Sequence, residues 1–389
     1  MAVSSRQKTV NSKQDNLGCI ADREHLAVNP ENMTNQYKIL SINPGATSTR
    51  VALYLNETPL KVEVIRHSPK DLTSFKSTLD QLDYRKELVL GFLEENKVKV
   101  TELSAVVGRG GPFKPLESGT YRVNEKMLAD IKTGNVQADH PANLGALIAH
   151  EIVKGTDVPS FIVDPVSVDE FIPEARISGL PQIERKSLSH ALNMKMVARK
   201  AAKSLGKRYE ELNLIIVHLG SGISVSSHLK GRMIDVNNAN DMGPFSPQRV
   251  GALPVTGLAK LCFSGEYSRK EMIQLLTKKG GLLAHLGTDN VEDVEKKIDE
   301  GDQKAKLIYD AMIYQIAKEI GAMSTTLEGK VDAIVLTGGI ANSKKLTSSI
   351  MQKVKSIAPV SVFPGEDEME ALTLGALRVI SGEEKRKEY

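Results

Sequence analysis

Three apolar runs in this chain end in tight turns made of glycine, asparagine and hydroxyl residues. KILSI runs into the stretch from Asn43 to Ser48, LIIV and His218 lead into Gly220 and Gly222, and AIVLT leads into Gly338 and Gly339. Glycine lets the backbone approach a ligand closely, and successive N–H groups with nearby hydroxyls can face an anion, so the chemistry these turns offer is phosphate binding. Each can equally be an ordinary structural turn. None reads GxxxxGK[ST] or GxGxxG, so a nucleotide enzyme built on them must use another architecture.

Charged candidates accompany the turns. Arg109 closes the apolar run SAVVGR, and Arg249 lies in the loop NDMGPFSPQRVGALP. The guanidinium fork matches carboxylate and phosphate oxygens and keeps its charge where water is excluded; the plainer reading is a salt bridge. His190 in KSLSHALN and His218 in IIVHLGSG are either reactive imidazoles or packed, hydrogen-bonded side chains. Asp164 after SFIV and Glu370 in PGEDEMEAL are hard oxygen donors of the kind Mg2+ accepts, or else a turn cap and a first-turn helix carboxylate.

The elements that must carry these residues are legible from periodicity. YKILSI, RVALYL and PLKVEVI predict three short strands at the start of a mixed sheet. Residues 85–94 predict a helix, the segment from Pro141 another, and the runs from Ser104 and Ser160 predict buried strands. ERKSLSHALNMKMVARKAAKSL predicts one long amphipathic helix, followed by strand, Gly/Ser turn and strand. QKAKLIYDAMIYQIAKEIGAMSTTL predicts a helix with an apolar stripe through Leu307, Met312, Ile316 and Ile320, which could be core or a subunit interface. EMEALTLGALRVI predicts the last helix and EEKRKEY a frayed, solvent-facing end. Strands alternating with helices predict an α/β protein, and the likeness of KILSINPGATSTRVALYL to NLIIVHLGSGISVSSHL predicts two domains of similar build.

Composition narrows the class. A length of 389 residues leaves room for two or three domains. Lys plus Arg total 51 against 48 acidic residues, which gives no pull towards nucleic acid, and aromatics at 4% leave little for base stacking. Cys19 and Cys262 share no metal-ligand or redox spacing, which fits a reducing, cytoplasmic setting. No run of 18 apolar residues and no secretory h-region are visible, so neither a membrane span nor export is expected. Residues 1–36 show no helix or strand period and read as a polar extension, with Met33 an alternative start.

ILSINPGATSTRVALY, VQADHPANLGALIAHEI, FIVDPVSVDEF, IIVHLGSGISVSSHLKGRMIDVNNANDMGPFSPQRVGALP, VLTGGIANS and FPGEDEMEALTLGALRVI, in that order, closely resemble the butyrate kinase group of the acetate kinase family. The resemblance runs from Tyr37 to the C-terminal helix. It implies two ribonuclease-H-like domains of the acetate and sugar kinase, Hsp70 and actin superfamily, here residues 37–165 plus 365–389 and residues 166–364, around a nucleotide cleft. It implies reversible phosphoryl transfer between ATP and butyrate, or a related short or branched carboxylic acid, giving ADP and an acyl phosphate with Mg2+, in a cytoplasmic homo-oligomer. An acetate or propionate kinase, or a nucleotide-binding relative without transfer activity, are the alternatives.

Residue by residue, the resemblance implies that Asn43 orients the substrate-side phosphate, Arg109 binds the carboxylate and Arg249 the transferred phosphoryl. His190 supports the transition state and Asp164 follows the VD strand. Thr47, Thr49, Arg50, His218, Gly220 and Gly222 line the phosphate side, and Gly338 and Gly339 the adenosine side. Glu370 is the magnesium-linked glutamate, with Glu368 the neighbouring carboxylate that could align there. Pro112, Phe113 and the segment 165–171 are the expected acyl pocket. The family's usual PGSTSTK reads PGATSTR here, so Ala46 lacks a hydroxyl donor and Arg50 replaces a lysine.

Overall fold

The computed structural model describes residues 35–389; the polar extension up to residue 34, with Cys19 and Met33, lies outside the described residues. KILSINP forms β1 (Lys38–Pro44), which turns back into β2 (Ser48–Leu55) and then β3 (Thr58–Arg66), all antiparallel. After α1 (Pro69–Thr73) and α2 (Leu82–Glu95) come β4 (Ala105–Arg109), β5 (Thr120–Arg122), α3 (Glu125–Lys132), α4 (Leu144–Val153) and β6 (Ser160–Val163). The first sheet has the order β3-β2-β1-β4-β6-β5, with β1, β4 and β6 parallel.

The chain then crosses through α5 (Pro173–Arg176) and α6 (Ala191–Ser204) to a second meander, β7 (Asn213–Leu219), β8 (Ile223–Leu229) and β9 (Arg232–Val236). Next come α7 (Val255–Cys262), α8 (Arg269–Lys278), α9 (Gly281–Leu286), α10 (Val291–Asp299) and α11 (Gln303–Thr326). The chain closes with β10 (Ala333–Gly338), α12 (Lys344–Val354), β11 (Val360–Pro364) and α13 (Glu368–Ile380). The second sheet has the order β11-β10-β7-β8-β9, with β7, β10 and β11 parallel. Each sheet thus joins a three-strand meander to parallel strands, as the internal likeness predicts.

Among the described residues, three large apolar cores and a small fourth at Ala52, Tyr54 and Met369 separate these layers. Leu40, Val106 and Phe92 pack one face of the first sheet against α2, α3 and α4; Ile215, Ile334, Met312 and Ile350 pack the second sheet against α10, α11 and α12. Between the sheets, Val107, Val163, Leu214 and Val335 close on Met194 and Val197 of α6 and on Ala371 and Leu372 of α13. Those two helices are therefore the shared middle layer, and their N-termini are placed by both sheets.

Three expectations need correction. The expected long helix from Glu184 begins only at Ala191, because residues 184–190 are tethered irregularly: Arg185 Nη2 donates to Asp235 Oδ1 at 2.7 Å and Ser187 Oγ to Val168 O at 2.7 Å. His190 consequently sits just ahead of α6 rather than within it. In α11 the buried stripe is Ala305, Tyr309, Met312, Ile313, Ile316, Ile320 and Met323, part of the core, while Leu307 is 67% exposed. Leu307 and Met312 are five residues apart, about 140° round the helix, so they cannot share a face. The charged tail is not frayed: Lys387 N donates to Thr120 O at 2.8 Å, Arg122 N donates to Lys387 O at 3.0 Å, and the Tyr389 ring stands edge-on to Phe113 at 6.3 Å.

Candidate active site

Parallel strands bring their C-terminal ends to one edge of a sheet, where loops and helix N-termini gather. Asn43 near the end of β1 and Arg109 at the end of β4 meet there, and both reach Glu368, the first residue of α13. Asn43 Nδ2 donates to Glu368 Oε2 at 2.5 Å, and Arg109 Nη1 pairs with Glu368 Oε1. A carboxylate in the first helical turn is favoured by the helix dipole, which helps hold Glu368 at this corner. His140, ahead of the turn into α4, faces the same charges: burial and the Arg109 guanidinium push its imidazole below the usual range.

The second sheet supplies a pair of histidines. His218 near the end of β7 is almost fully buried, and its ring stacks on that of His190 with centroids 3.8 Å apart and planes within 7°. His218 Nδ1 lies 2.9 Å from Asn193 Oδ1 of α6, and its Nε2 lies 2.9 Å from Glu366 Oε1. His190 Nδ1 lies 3.2 Å from Ser224 Oγ of β8. Burial first, then the positive fields of His218, Arg249 and Arg109, hold the His190 pKa well below its ordinary value, so this imidazole is neutral near pH 7. A serine hydroxyl that donates to Nδ1 puts the ring proton on Nε2, whereas Nδ1–H donating to Ser224 Oγ is the other tautomer the contact accommodates.

Arg249 lies over the turn between β7 and β8. A Cβ on Gly222 would come within 2.2 Å of its Nη1, so only glycine admits the guanidinium here. The loop is anchored to that turn, since Arg249 N donates to Ser246 Oγ at 3.1 Å and Ser246 Oγ donates to Ser221 O at 2.5 Å. Burial lowers the Arg249 pKa, yet among the described residues no carboxylate pairs with it. A half-buried guanidinium without a counter-ion is a seat for an anion.

Beyond Ser221 the surface opens into a cavity of about 590 Å³, lined also by Pro247, Asn290, Gly339 and Asn342. Gly338 shapes its edge: at φ +91° it bridges to Gly365, and a Cβ would meet the Leu219 carbonyl oxygen at 2.3 Å. Gly339 has nothing within 4 Å of where a Cβ would stand, leaving its backbone open to the cavity.

The model of the Acetokinase family matches residues 182–386, more than half of the chain. This protein belongs to the acetokinase family. Among solved structures it is similar to acetate kinase from Porphyromonas gingivalis, with 19% identity, a TM-score of 0.71, and 88% of this chain and 99% of that chain covered. Propionate kinase from Francisella tularensis gives 21% identity and a TM-score of 0.68, covering 87% and 98% of the two chains. Acetate kinase from Entamoeba histolytica gives 18% and 0.70, covering 87% and 98%. The shared fold is two mixed α/β sheet domains. Among the described residues no helix is long and apolar enough to cross a membrane.

Within this acetokinase, Asn43, Arg109, His190, His218 and Arg249 come together with Gly220 and Gly222. Five expected residues are not among them. The Thr49 hydroxyl lies on the inner face of β2, where Arg85 Nη1 donates to it at 2.9 Å and His67 Nε2 lies 2.9 Å away. Asp164 is buried with its Oδ1 accepting from Gly119 N at 2.7 Å and its Oδ2 3.8 Å from Arg199; burial raises its pKa. Glu370 pairs with Lys200 at 2.5 Å, because two residues along a helix turn a side chain to the opposite face from Glu368. Asp164 and Glu370 both line a separate cavity of about 1210 Å³. Thr47 is exposed on the β1–β2 turn, and Arg50 is exposed with its charge acting on Glu366. The expected acyl-pocket rings Phe113 and Phe171 are both buried in the apolar cores. Sequence reasoning missed Glu366, Ser224, Asn193 and His140; only His140, placed before a helix-opening Pro141, carried a local signal.

Proposed function

We propose that this acetokinase is an ATP-dependent carboxylate kinase, and that its acid is butyrate or a branched relative. The observation that carries the reading is Arg249, a half-buried guanidinium with no ion-pair partner among the described residues, whose charge acts together with that of Arg109 on a neutral His190. Such a corner suits a phosphoryl group approached by a carboxylate. No general base is required, because a carboxylic acid with a pKa of roughly 4 to 5 is already ionised at neutral pH.

In this reading the acid's carboxylate takes the place of Glu368 on Arg109. One of its oxygens attacks the γ-phosphorus of ATP in line, the bond from that phosphorus to the β–γ bridging oxygen breaks, and ADP leaves with the electron pair. Arg249 and the Nε2–H of His190 stabilise the equatorial oxygens in flight. Backbone N–H groups of the turn from Gly220 to Gly222 support the β-phosphate, and the cavity beside Gly339 takes the adenosine. Magnesium enters as part of the nucleotide substrate: among the described residues no three His, Cys, Asp or Glu side chains converge to hold an ion, and Mg2+ is commonly carried by phosphate oxygens and water with one or two carboxylates. Glu370, held by Lys200 away from this corner, is left out of that role. Domain boundaries near residues 165 and 365, and a homo-oligomer readable by sizing chromatography, belong to the same proposal.

Butyrate is supported by the six motif segments. A smaller acid is supported by the solved relatives named acetate and propionate kinase. Trapping acyl phosphates with hydroxylamine across acetate, propionate, butyrate, isobutyrate and valerate separates the two. Highest kcat/KM with butyrate or isobutyrate is expected; a clear preference for acetate overturns the acid assignment, and no acyl hydroxamate from any acid overturns the kinase.

A further inference from the structure

Resting on the phosphotransfer reading above, we propose that Glu366 is a positioning residue: with Asn193 it clamps the His218 ring and, through the stacked rings, fixes the plane in which His190 presents its Nε2–H. His218 is 1% exposed, so protein groups alone orient it. Asn193 Oδ1 meets Nδ1 at 2.9 Å from the first turn of α6, and Glu366 Oε1 stands 2.9 Å from Nε2 just ahead of α13. The two contacts act on opposite edges of the ring from different elements, so rotation about its χ2 is blocked on both sides. At a centroid separation of 3.8 Å and an angle of 7°, the His190 ring is in van der Waals contact along its whole face and cannot tilt unless His218 tilts too. Ser224 alone, touching one nitrogen of His190 at 3.2 Å, leaves that ring free to rock about the contact.

Two further observations fit the clamp. A Cβ on Gly220 would stand 3.1 Å from His218 Nε2 and 3.3 Å from Glu366 Oε1, so a side chain there would crowd the gap between carboxylate and ring. Asn193 Nδ2 and His218 Nε2 are buried without a hydrogen-bond partner, and Glu366 Oε1 lies 2.9 Å from the latter out of hydrogen-bond alignment, within the reach of a carboxylate turn. Glu366 side-chain exposure is 37%, which makes a direct contact to the nucleotide or its magnesium the rival role.

The test uses the full chain in the hydroxylamine assay together with spectra of ring-nitrogen-labelled histidine. Wild-type turnover is measured first: if no acid is phosphorylated, the phosphotransfer reading fails, while the ring-nitrogen signals still report on the clamp. Glu366→Ala is expected to lower kcat by about 10- to 100-fold with both KM values within about threefold. Glu366→Gln, whose amide oxygen accepts from Nε2–H in one tautomer and whose NH2 donates to Nε2 in the other, is expected to recover kcat to within about threefold. The His218 ring nitrogens should shift in the alanine variant and stay near wild type in the glutamine variant. The proposal is overturned if Glu366→Ala keeps kcat within about twofold, if the whole loss lies in the KM for MgATP, or if the His218 signals do not move. Should Glu366→Ala not fold, Asn193→Ala decides by the same readouts: a kcat loss with shifted His218 signals supports the clamp, and wild-type values overturn it.

Discussion

The two arginines differ in what holds them, and that difference predicts how each fails. Arg249 has no ion pair among the described residues, so Arg249→Ala breaks none and should leave the melting temperature near wild type. If it stabilises the phosphoryl group in flight, kcat falls by about 10²- to 10³-fold with ATP affinity little changed. A kcat within about fivefold of wild type in a folded variant would falsify its role. Arg109 is tied to Glu368, which Asn43 also touches. Arg109→Ala leaves that carboxylate with only Asn43 beside it, so the corner repels an incoming acid anion as well as losing its receptor. The expected result is a kcat/KM for the acid lowered by more than about 100-fold, with ATP binding by calorimetry within a few-fold. Equal losses for both substrates would count against Arg109 as the acid's partner.

At the scale of elements, strands and turns were legible and faces were not. Alternating Ile, Leu and Val located both meanders and the residues ending them, but Thr49 and Thr47, equally good hydroxyls in sequence, differ because only Thr49 falls inside β2, where Arg85 and His67 claim it. Glu368 and Glu370 are the same residue type in one helix, and only the packing of α13 between two sheets decides which one meets Arg109. The tail was misread because charge count gives no hint of the strand-like pairing of Lys387 with Thr120 and Arg122. Deleting residues 386–389 should therefore lower stability by about 1–3 kcal/mol, through two lost backbone bonds and the exposure around Phe113; an unchanged melting temperature would show the contacts to be idle. The β2 network makes an acid-sensitivity prediction. His67 is pushed down to about 4 by burial and then by the Arg85 charge. The folded state thus binds this proton less readily than the unfolded chain, with its reference near 6.5, so the contribution is complete above about pH 6.5 and is lost as pH falls towards about 4. Urea midpoints at about pH 7.5 and 4.5 should separate wild type from His67→Gln, the variant losing about 2 kcal/mol less on acidification; equal losses would remove His67 as a source.

For the whole molecule, the site exists because two sheets of like topology turn their strand ends towards α6 and α13, which both sheets share. One buried ion pair joins the segments by which the chain passes between them. Glu170, beyond β6, accepts from Ser118 Oγ at 2.6 Å and from Met233 N of β9 at 2.6 Å, and pairs with Lys195 of α6 at 2.6 Å; Lys195 also donates to Gly231 O at 2.9 Å. Burial alone would raise the Glu170 pKa, but the Lys195 charge and these donors bring it down to about 2. Removing one partner leaves an uncompensated charge in the middle layer, so Lys195→Met is expected to cost about 3–5 kcal/mol. Adding Glu170→Gln to Lys195→Met removes the stranded charge while keeping one oxygen, enough for Met233 N or for Ser118 but not for both, and should recover part of that loss. Because the pair lies apart from Arg109, Arg249 and the histidines, kcat of the folded double variant should follow stability rather than chemistry: near wild type well below its melting temperature. If Lys195→Met melts like wild type, the pair does not fasten the two halves; if the double variant regains stability but not turnover, the fastening itself sets the alignment of the two sheets that catalysis needs.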